Sequence, residues 1–183
     1  MIYVTTFSKK ADINKQKVTA IKLLDFACYI EKGFRYDYST AKRTQKGKPY
    51  RDGNDFYFNV SHCPYSVAVA IADYPIGIDV AEIQTINNVA KNKIFSEKEL
   101  SIASSDRDFT YLWAVKESFF KCIGTGINHN MYKNDFSCVF NKTIGEFENK
   151  YFLVKEYDGF ILSVFCDKKI NGNVIYVSDI DLV

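Results

Sequence analysis

Two kinds of hydrophobic pattern alternate along this chain, one with helical spacing and one with strand spacing. The first helical pattern covers residues 14–33 and stops at Gly33, a residue that often ends helices. Its apolar positions are Val18, Ile21, Leu24, Ala27 and Cys28. This spacing predicts a helix whose stripe faces a core.

Three short runs with strand alternation follow, separated by turns. Residues 56–62, "FYFNVSH", alternate large apolar with smaller or polar side chains, and residues 66–73 and 76–83 are again apolar runs. The breaks "HCPY" and "YP" between them favour an antiparallel meander. Before the meander, residues 39–50 form a basic segment with Gly47 and Pro49, which predicts a loop.

The middle of the chain shows helix signals. Ser96 and Glu99 have the spacing of a capping box, which marks a helix start. Residues 108–126 have the clearest helical pattern, with Asp108 as the predicted N-cap and Gly124 as the predicted stop. The apolar stripe of this helix consists of Leu112, Val115, Phe119 and Cys122.

The last third again alternates as strands, which we predict in four segments: 133–140, 150–157, 159–167 and 173–180. A helix followed by an antiparallel meander therefore occurs twice. We predict an α+β fold of two similar halves related by a pseudo-twofold, each a helix packed on a small antiparallel sheet. The halves would be residues 1–88 and 89–183, joined near 85–95 in one compact unit.

Composition and charge narrow the class of protein. The five cysteines are scattered without a C-x-x-C pair, which is typical of reduced thiols in the cytoplasm. No apolar run approaches the roughly 20 residues of a membrane span, and we see no signal peptide. Residues 1–60 hold 12 Lys or Arg and 6 Asp or Glu, a net charge of +6, whereas the remainder has −4. This asymmetry suits an anionic ligand, or simply a solvated lysine-rich face.

Asp79 stands in the apolar run "PIGIDVAEI", where a charge is costly. A period of two places Gly77, Asp79 and Ala81 on one face of the strand. A buried carboxylate needs a partner, a metal or a proton. The small neighbours leave room for a hard divalent cation, provided that a second carboxylate comes from elsewhere. A capping or salt-bridged aspartate is the alternative.

Three further groups of residues carry possible chemistry. Trp113, Glu117 and Lys121 are four apart and share a helix face, as an ordinary Glu–Lys surface pair also would. His62, at the end of a strand, suits a hydrogen bond to a phosphate or a plain turn. Lys48, in the turn "GKPY", would meet an anion together with backbone amides.

The order of these motifs is informative. "GKPY", "FNVSH", "GIDV", "FSEKE" and "LWAVKESFFKCIGTGI" follow one another, and in this order they resemble the 4′-phosphopantetheinyl transferases of the surfactin-synthetase-activating type. The resemblance implies transfer of 4′-phosphopantetheine from coenzyme A to a serine of an acyl or peptidyl carrier protein, with release of adenosine 3′,5′-bisphosphate. Such carriers serve fatty-acid, polyketide and non-ribosomal-peptide synthesis.

The resemblance also implies roles for residues at the reacting centre. Asp79 and Glu117 match the Mg²⁺ ligands of the family, and Lys121 matches a lysine that contacts the phosphates. With Mg²⁺ as cofactor, Lys121 and His62 would stabilise charge on the leaving phosphate. Glu117, or a metal-bound water, would take the serine proton, and we favour Glu117.

Other residues match contacts to coenzyme A. Ser61 and His62 correspond to a Ser-His pair on its phosphates, and Lys48 corresponds to the Gly-Lys-Pro lysine. Lys17, on the first helix, stands more loosely for a basic residue there. The expected partners are therefore coenzyme A and a carrier protein, with no nucleic acid and no membrane, and we expect a monomer.

One position departs from the family pattern. Longer relatives commonly have a second acidic metal ligand two residues after the aspartate, where this chain has Ala81. Glu82 should face away from the site unless a bulge turns it. Because some members of the family lack this acid, we expect a water in its place. The alternative is a catalytically weakened relative that binds coenzyme A or a carrier, and a third reading is a basic, aromatic-rich nucleic-acid-binding protein.

Overall fold

The computed structural model describes residues 1–43, 49–50, 56–126 and 133–178 and confirms a mixed α+β fold. Two four-stranded sheets pack face to face, with one long helix on the outer side of each. The strands are β1 Ile2–Thr6, β2 Lys42–Arg43, β3 Pro49–Tyr50, β4 Tyr57–Cys63, β5 Ser66–Ala72, β6 Ile76–Glu82, β7 Ile144–Phe147, β8 Lys150–Tyr157, β9 Phe160–Cys166 and β10 Ile175–Tyr176. The helices are α1 Ile13–Lys32, α2 Asn88–Ile94, α3 Glu97–Ile102 and α4 Asp106–Ile123.

The first sheet has the strand order β10-β1-β5-β4, and α1 packs on one face of it. Strand β5 is buried on both faces, and its side chains divide by the period of two. Val67, Val69 and Ile71 pack with α1, whereas Ala68 and Ala70 face the second sheet. The continuous apolar sequence of β5 thus follows from its position between two layers.

The second sheet has the order β6-β9-β8-β7, with every neighbouring pair antiparallel. Its central strand β9 is buried along its whole length. Phe165 of β9 packs with α4, and Leu162 and Val164 pack against the first sheet. The layers are therefore α1, first sheet, second sheet and α4, which agrees with two helix-on-sheet halves.

The predicted meander of three strands is wrong in its last step. Strands β4 and β5 form the expected hairpin, but β6 pairs with β9 of the other sheet. The reason is β1, a strand that the sequence interpretation missed: it occupies the second edge of β5, so no free edge remains for β6. The division at residue 88 stays a prediction, and β6 and β10 each pair with strands from the other side of it.

Side chains replace the missing backbone ladder between β4 and β6. The Asn59 side chain accepts a hydrogen bond from the Ile78 amide at 2.8 Å, and the Ser61 hydroxyl accepts one from the Val80 amide at 3.2 Å. Both buried amides lie on the edge of β6 that faces β4. These polar side chains therefore join the two sheets beside the site described below.

The long helices form as predicted, with two corrections of detail. Helix α1 ends at Gly33, which is left-handed at φ +75°, but Val18 and Ile21 are 53% and 42% exposed, so they are not on the core face. In α4 the N-cap is Ser105, while Asp108 lies three residues on and completes a capping box with it. The predicted stripe of α4 is buried, and Gly124 ends the helix at φ +74°.

The segment after α4 is held by a buried ion pair instead of a strand. Residues 133–140, predicted as a strand, contain only a 3₁₀ turn at Ser137–Val139. Lys116 lies 2.9 Å from Glu99 and donates to the Asn134 carbonyl, while Glu99 accepts the Phe136 amide. The apparent alternation reflects Phe136, which inserts into the α4 core.

The remaining sequence expectations concern the basic loop, the thiols and the membrane. Strands β2 and β3 pair as a two-stranded ribbon inside the segment predicted as a loop, of which residues 44–48 lie outside the described part. All five cysteines are free thiols. Across the described ranges, the helices are too short or too polar to cross a membrane.

Candidate active site

A cleft of about 770 Å³ opens between α1 and the β4 end on one side and β6 and α4 on the other. Its polar end holds Ser61, His62, Asp79, Glu117 and Lys121. Five of the seven residues that the sequence interpretation proposed for the site are thus gathered in one cavity.

Gly77 allows α4 to approach β6 closely enough to build this end of the cleft. A Cβ atom at residue 77 would lie 2.1 Å from the Ser118 carbonyl oxygen and 2.3 Å from the Cys122 amide nitrogen. Such contacts are impossible, so only glycine fits. The room expected beside Asp79 is filled here by helix backbone, which brings Glu117 and Lys121 to the aspartate.

Asp79 is 5% exposed and is held by two side chains from different elements. Lys121 Nζ lies 2.6 Å from Asp79 Oδ1, and the Ser61 hydroxyl donates to the same oxygen at 2.8 Å. Lys121 also donates to the Ile78 carbonyl at 3.2 Å. The buried carboxylate of Asp79 therefore has a cationic partner in Lys121, and its hydrogen bond with Ser61 connects it to β4.

Glu117 lies one helical turn before Lys121, with its side chain 4% exposed. Its Oε2 atom is 3.8 Å from Lys121 Nζ, while Oε1 is buried and has no hydrogen-bond partner among the described residues. Burial, with a smaller contribution from the Asp79 charge, raises the pKa of Glu117 to about 7, and Lys121 opposes this. The carboxyl group is poised to exchange a proton near neutral pH.

The donor set fits a hard divalent cation in part. Asp79 and Glu117 supply carboxylate oxygens, the ligands that Mg²⁺ prefers, and Glu117 Oε1 has no other partner in the part of the chain that the structure describes. Ala81 adds no oxygen, and the described residues contain no cluster of three or more His, Cys, Asp or Glu suited to a metal. A cation here would complete its shell with substrate oxygens and water, as Mg²⁺ commonly does.

His62 lines the cleft from the end of β4 and is half-buried. Its Nδ1 atom lies 2.9 Å from Oε1 of Gln16, a buried residue of α1. Burial lowers the pKa of His62, and the charges of Lys121 and Lys17 lower it further, against a raising contribution from Asp79. An imidazole in this setting is neutral until an anion arrives.

The two other predicted lysines are not among the described residues that line the cleft. Lys17 is an exposed residue of α1, and it acts on His62 through its charge. Lys48 lies outside the described residues, so its role stays a prediction. Glu82 lines the rim, where it pairs with Lys10 at 2.5 Å instead of joining Asp79, as the strand period indicated.

Among the polar residues of the cleft that the sequence interpretation missed are Thr110 and Gln16. Thr110 is 2% exposed, lines the cavity and has a hydroxyl with no partner among the described residues. It shares a helix face with Trp113 and Glu117, so helical spacing would have found it. Gln16 carries no such signal, because its contact with His62 depends on how α1 packs against β4.

Comparison with known proteins identifies the segment that contains most of these residues. A model of the 4′-phosphopantetheinyl transferase superfamily matches residues 75–164, from the turn before β6 to β9. Residues 75–164 belong to this superfamily. Asp79, Glu117 and Lys121 lie inside the matched segment, whereas Ser61 and His62 precede it.

Curated relatives support the surfactin-synthetase-activating type. A 4′-phosphopantetheinyl transferase of Aneurinibacillus migulanus is 35% identical over 92 residues, which are 47% of this chain and 38% of the relative. One of Bacillus subtilis (strain 168) is 37% identical over 89 residues, 45% of this chain and 40% of the relative. The chain thus spans about two fifths of the length of these phosphopantetheinyl transferases.

Two further proteins match as well. An L-aminoadipate-semialdehyde dehydrogenase-phosphopantetheinyl transferase of Xenopus laevis is 34% identical over 122 residues, 55% of this chain and 40% of the relative. The solved structure of Thermotoga maritima holo-[acyl-carrier-protein] synthase is 21% identical, covers 53% of this chain and 64% of that one, and has a TM-score of 0.35. That score is too low to bear on the fold.

Proposed function

We propose that this protein is a 4′-phosphopantetheinyl transferase that moves phosphopantetheine from coenzyme A to a serine of an acyl or peptidyl carrier protein. The observation that carries the proposal is the cluster of Asp79, Glu117 and Lys121 at the polar end of the cleft. It combines two carboxylates and one ammonium within the superfamily segment. With Mg²⁺ held by the carboxylates, this set would carry a net positive charge, which a diphosphate substrate needs.

The reaction is a displacement at phosphorus. The serine oxygen of the carrier forms a bond to the phosphorus that bears pantetheine, and the bond from that phosphorus to the bridging oxygen breaks. Adenosine 3′,5′-bisphosphate leaves with the bridging oxygen. Lys121 donates hydrogen bonds to Asp79 and Ser61. When the substrate binds, it would exchange these contacts for phosphate oxygens, and together with His62 it would stabilise the negative charge that develops on the leaving phosphate.

Glu117 is the proposed acceptor of the serine proton. Its buried carboxyl group has a pKa raised to about 7, chiefly by burial, so near neutral pH a fraction of it is ionised and able to accept a proton. Its Oε1 atom has no competing hydrogen bond within the described structure. Asp79, which is tied to Lys121 and Ser61, would instead orient the cluster.

Magnesium is part of the proposal. Asp79 and Glu117 would hold Mg²⁺, which when bound supplies neutralisation of the diphosphate charge. The carboxylates are buried, and electrostatic interactions are stronger in a buried site than in water. The Ser61 hydroxyl holds the Asp79 carboxylate in place through a hydrogen bond. Lys48 and Lys17 would add positive charge for coenzyme A, and the protein would act as a cytoplasmic monomer.

The direct test is transfer to apo-carrier proteins. The protein is incubated with coenzyme A, Mg²⁺ and a panel of apo-carriers from fatty-acid, polyketide and non-ribosomal-peptide synthesis, and intact masses are measured. We expect a gain of one phosphopantetheine on at least one carrier. Asp79→Asn should abolish the gain, while Asp73→Asn, the same change on an exposed acid paired with Lys32, should not. A folded protein that modifies no carrier would refute the proposal.

Ala81 supports the second candidate, a relative that binds coenzyme A or a carrier without turnover. In this chain the place of a second acid next to Asp79 has no oxygen donor, and Lys121 already neutralises the aspartate. This candidate predicts coenzyme A binding by calorimetry with no mass gain on any carrier. A restored transfer in Ala81→Glu would then identify the missing carboxylate as the cause.

A further inference from the structure

A chain of two hydrogen bonds runs from the loop before α1 to the imidazole of His62. The Gln16 side-chain nitrogen Nε2 donates to the Ala11 carbonyl oxygen at 2.7 Å. The Gln16 oxygen Oε1 lies 2.9 Å from His62 Nδ1. Gln16 is only 6% exposed, so a buried carboxamide connects the Ala11 carbonyl to the imidazole of His62.

The far end of this chain is itself anchored. The Ala11 amide donates to the Pro64 carbonyl at 2.8 Å, and the Phe7 amide donates to the Tyr65 carbonyl at 2.9 Å. Both carbonyls belong to the turn that directly follows β4. The loop whose Ala11 carbonyl binds the Gln16 side chain is therefore hydrogen-bonded to the turn that follows the strand of His62.

The chemistry of an amide then determines the proton on the ring. A backbone carbonyl only accepts, so the Gln16 nitrogen must face Ala11 and its oxygen must face His62. The Gln16 oxygen also only accepts, and His62 Nδ1 must therefore be the donor. In the neutral ring the proton is on Nδ1, and Nε2 carries the lone pair.

The second ring nitrogen is the one left for a ligand. No residue within the described ranges makes a hydrogen bond to Nε2, and the His62 side chain lines the cleft. The charged groups facing the ring are Lys121 from α4, Lys17 from α1 and Asp79 from β6. Two cations and one anion surround the imidazole, which favours its neutral form and the binding of an anionic ligand.

We propose that Gln16 is a positioning residue for His62: its carboxamide fixes the imidazole proton on Nδ1, so that Nε2 is the atom that meets a phosphate oxygen of the ligand. The phosphate ligand rests on the proposed function, whereas the tautomer does not. A lone pair on Nε2 repels a phosphate oxygen, so binding takes up a proton from solvent there, and the ring then donates from both nitrogens.

The tautomer is measurable in the free protein. The chain has two histidines, His62 and His129, so long-range ¹H–¹⁵N NMR spectra contain two ring patterns, and His129→Gln assigns them. At a pH where the ring is neutral, we expect a protonated Nδ1 and an unprotonated Nε2 for His62. A ring protonated on Nε2 in the unmodified protein would overturn the proposal without any variant.

Variants at Gln16 test whether its carboxamide determines the tautomer of His62. Gln16→Leu removes the acceptor, and we expect the ring to lose its strict preference for Nδ1–H and coenzyme A to bind roughly tenfold more weakly. Gln16→Glu keeps an acceptor and should retain the Nδ1–H form. Gln84→Leu, the same change elsewhere on the cleft lining, should leave the tautomer unchanged. An unchanged tautomer in Gln16→Leu would contradict the assignment.

Proton uptake separates this inference from the proposed function. Calorimetric titration with coenzyme A in two buffers of different ionisation enthalpy gives the protons bound, and we expect His62→Asn to lose uptake relative to the unmodified protein. Binding with equal uptake in both proteins would overturn the role of Nε2, even if transfer to carriers works. A correct tautomer in a protein that does not bind coenzyme A would refute the proposed function and leave the role of Gln16 in fixing the tautomer intact.

Discussion

Glu117 holds a buried carboxyl group, one oxygen of which has no hydrogen-bond partner among the described residues, and this burial should make stability depend on pH. Its pKa is raised from 4.5 to about 7 in the folded protein, first by burial and then by Asp79. Between these values the folded state binds more protons than the unfolded state, so stability falls as pH rises. Well above pH 7 the full loss has accumulated, at most roughly 3 kcal/mol for a shift of this size.

The variant Glu117→Gln removes this titration and tests the sign. In metal-free protein with a chelator, we expect the variant to gain free energy of unfolding relative to wild type as pH rises from 4.5 to 7. Urea denaturation at several pH values measures the difference. Glu148→Gln, on the exposed turn between β7 and β8, controls for the loss of one negative charge. A difference for Glu117→Gln that declines or stays constant would contradict the assignment.

Gly77 is the residue whose smallness determines the approach of α4 to β6. An added methyl group would meet helix backbone at 2.1 and 2.3 Å, and backbone cannot move aside as a side chain does. We expect Gly77→Ala to lower the free energy of unfolding by roughly 2 to 4 kcal/mol. Gly145→Ala is the matched control, because its methyl group would meet the ring tip of Phe152 at 2.8 Å. Equal losses in chemical denaturation would argue against this reading.

At the scale of elements, β4 and β6 are joined by polar side chains where a backbone ladder is absent. The Asn59 carboxamide accepts the buried Ile78 amide, one residue before Asp79. Removing the acceptor leaves a buried amide unpaired, which costs about 1 to 3 kcal/mol. We therefore expect Asn59→Ala to destabilise the protein by that amount and to speed hydrogen exchange at Ile78, measured by mass spectrometry of peptides from β6.

The control for this prediction is a buried serine in the same sheet. Ser66 donates to the Thr5 carbonyl, and a carbonyl has a second lone pair with which to compensate. Ser66→Ala should cost less than Asn59→Ala and leave exchange in β6 unchanged. If both variants accelerated exchange in β6 equally, the side-chain link between the strands would not be the cause.

The elements themselves were largely predictable, whereas their partners were not. Period and caps located α4 and its end at Gly124, because these are local properties of the chain. Strand β6 was found by its alternation, yet alternation does not say which edge a strand joins. That depended on β1, whose five residues at the start of the chain are too few to stand out. Val18 was misplaced because aliphatic residues also occur on exposed helix faces.

The site was predictable to a similar extent. Asp79, Glu117 and Lys121 were found because a charge in an apolar strand and a polar helix face are both visible in sequence. Gln16 was not, since a glutamine among lysines on α1 becomes informative only when the fold brings it to His62. Likewise, Lys121 was expected to contact phosphates, whereas its ion pair with Asp79 is visible only in the structure.

At the scale of the whole molecule, the two halves exchange strands. Strand β6 lies in the second sheet although the chain before it builds the first, and β10 returns to pair with β1. The faces of both sheets share one core between them. Neither sheet can therefore be complete without chain from both sides of the join, and the protein should unfold as one cooperative unit.

Two probes test this cooperativity, one in each half. Trp113, the single tryptophan, reports on α4, and the thiol of Cys28, a buried residue of α1 that packs on the first sheet, reports on the first half. We expect their urea transitions to coincide, with labelling of Cys28 by a thiol reagent followed by mass spectrometry of its own peptide, because the other four cysteines also react once they are exposed. Leu24→Ala and Leu112→Ala each create a cavity in one half and should cost roughly 2 to 5 kcal/mol.

A comparison of the two cavity variants shows whether the halves unfold together or separately. In a single cooperative unit, Leu24→Ala lowers the Trp113 midpoint as much as the Cys28 midpoint, and Leu112→Ala does the same in reverse, because each half is folded only while the other is. If the halves were independent, each variant would shift only the probe on its own side. Such a separation would show that the exchange of β6 and β10 contributes too little free energy to couple the halves, and the cleft between them would then open without global unfolding.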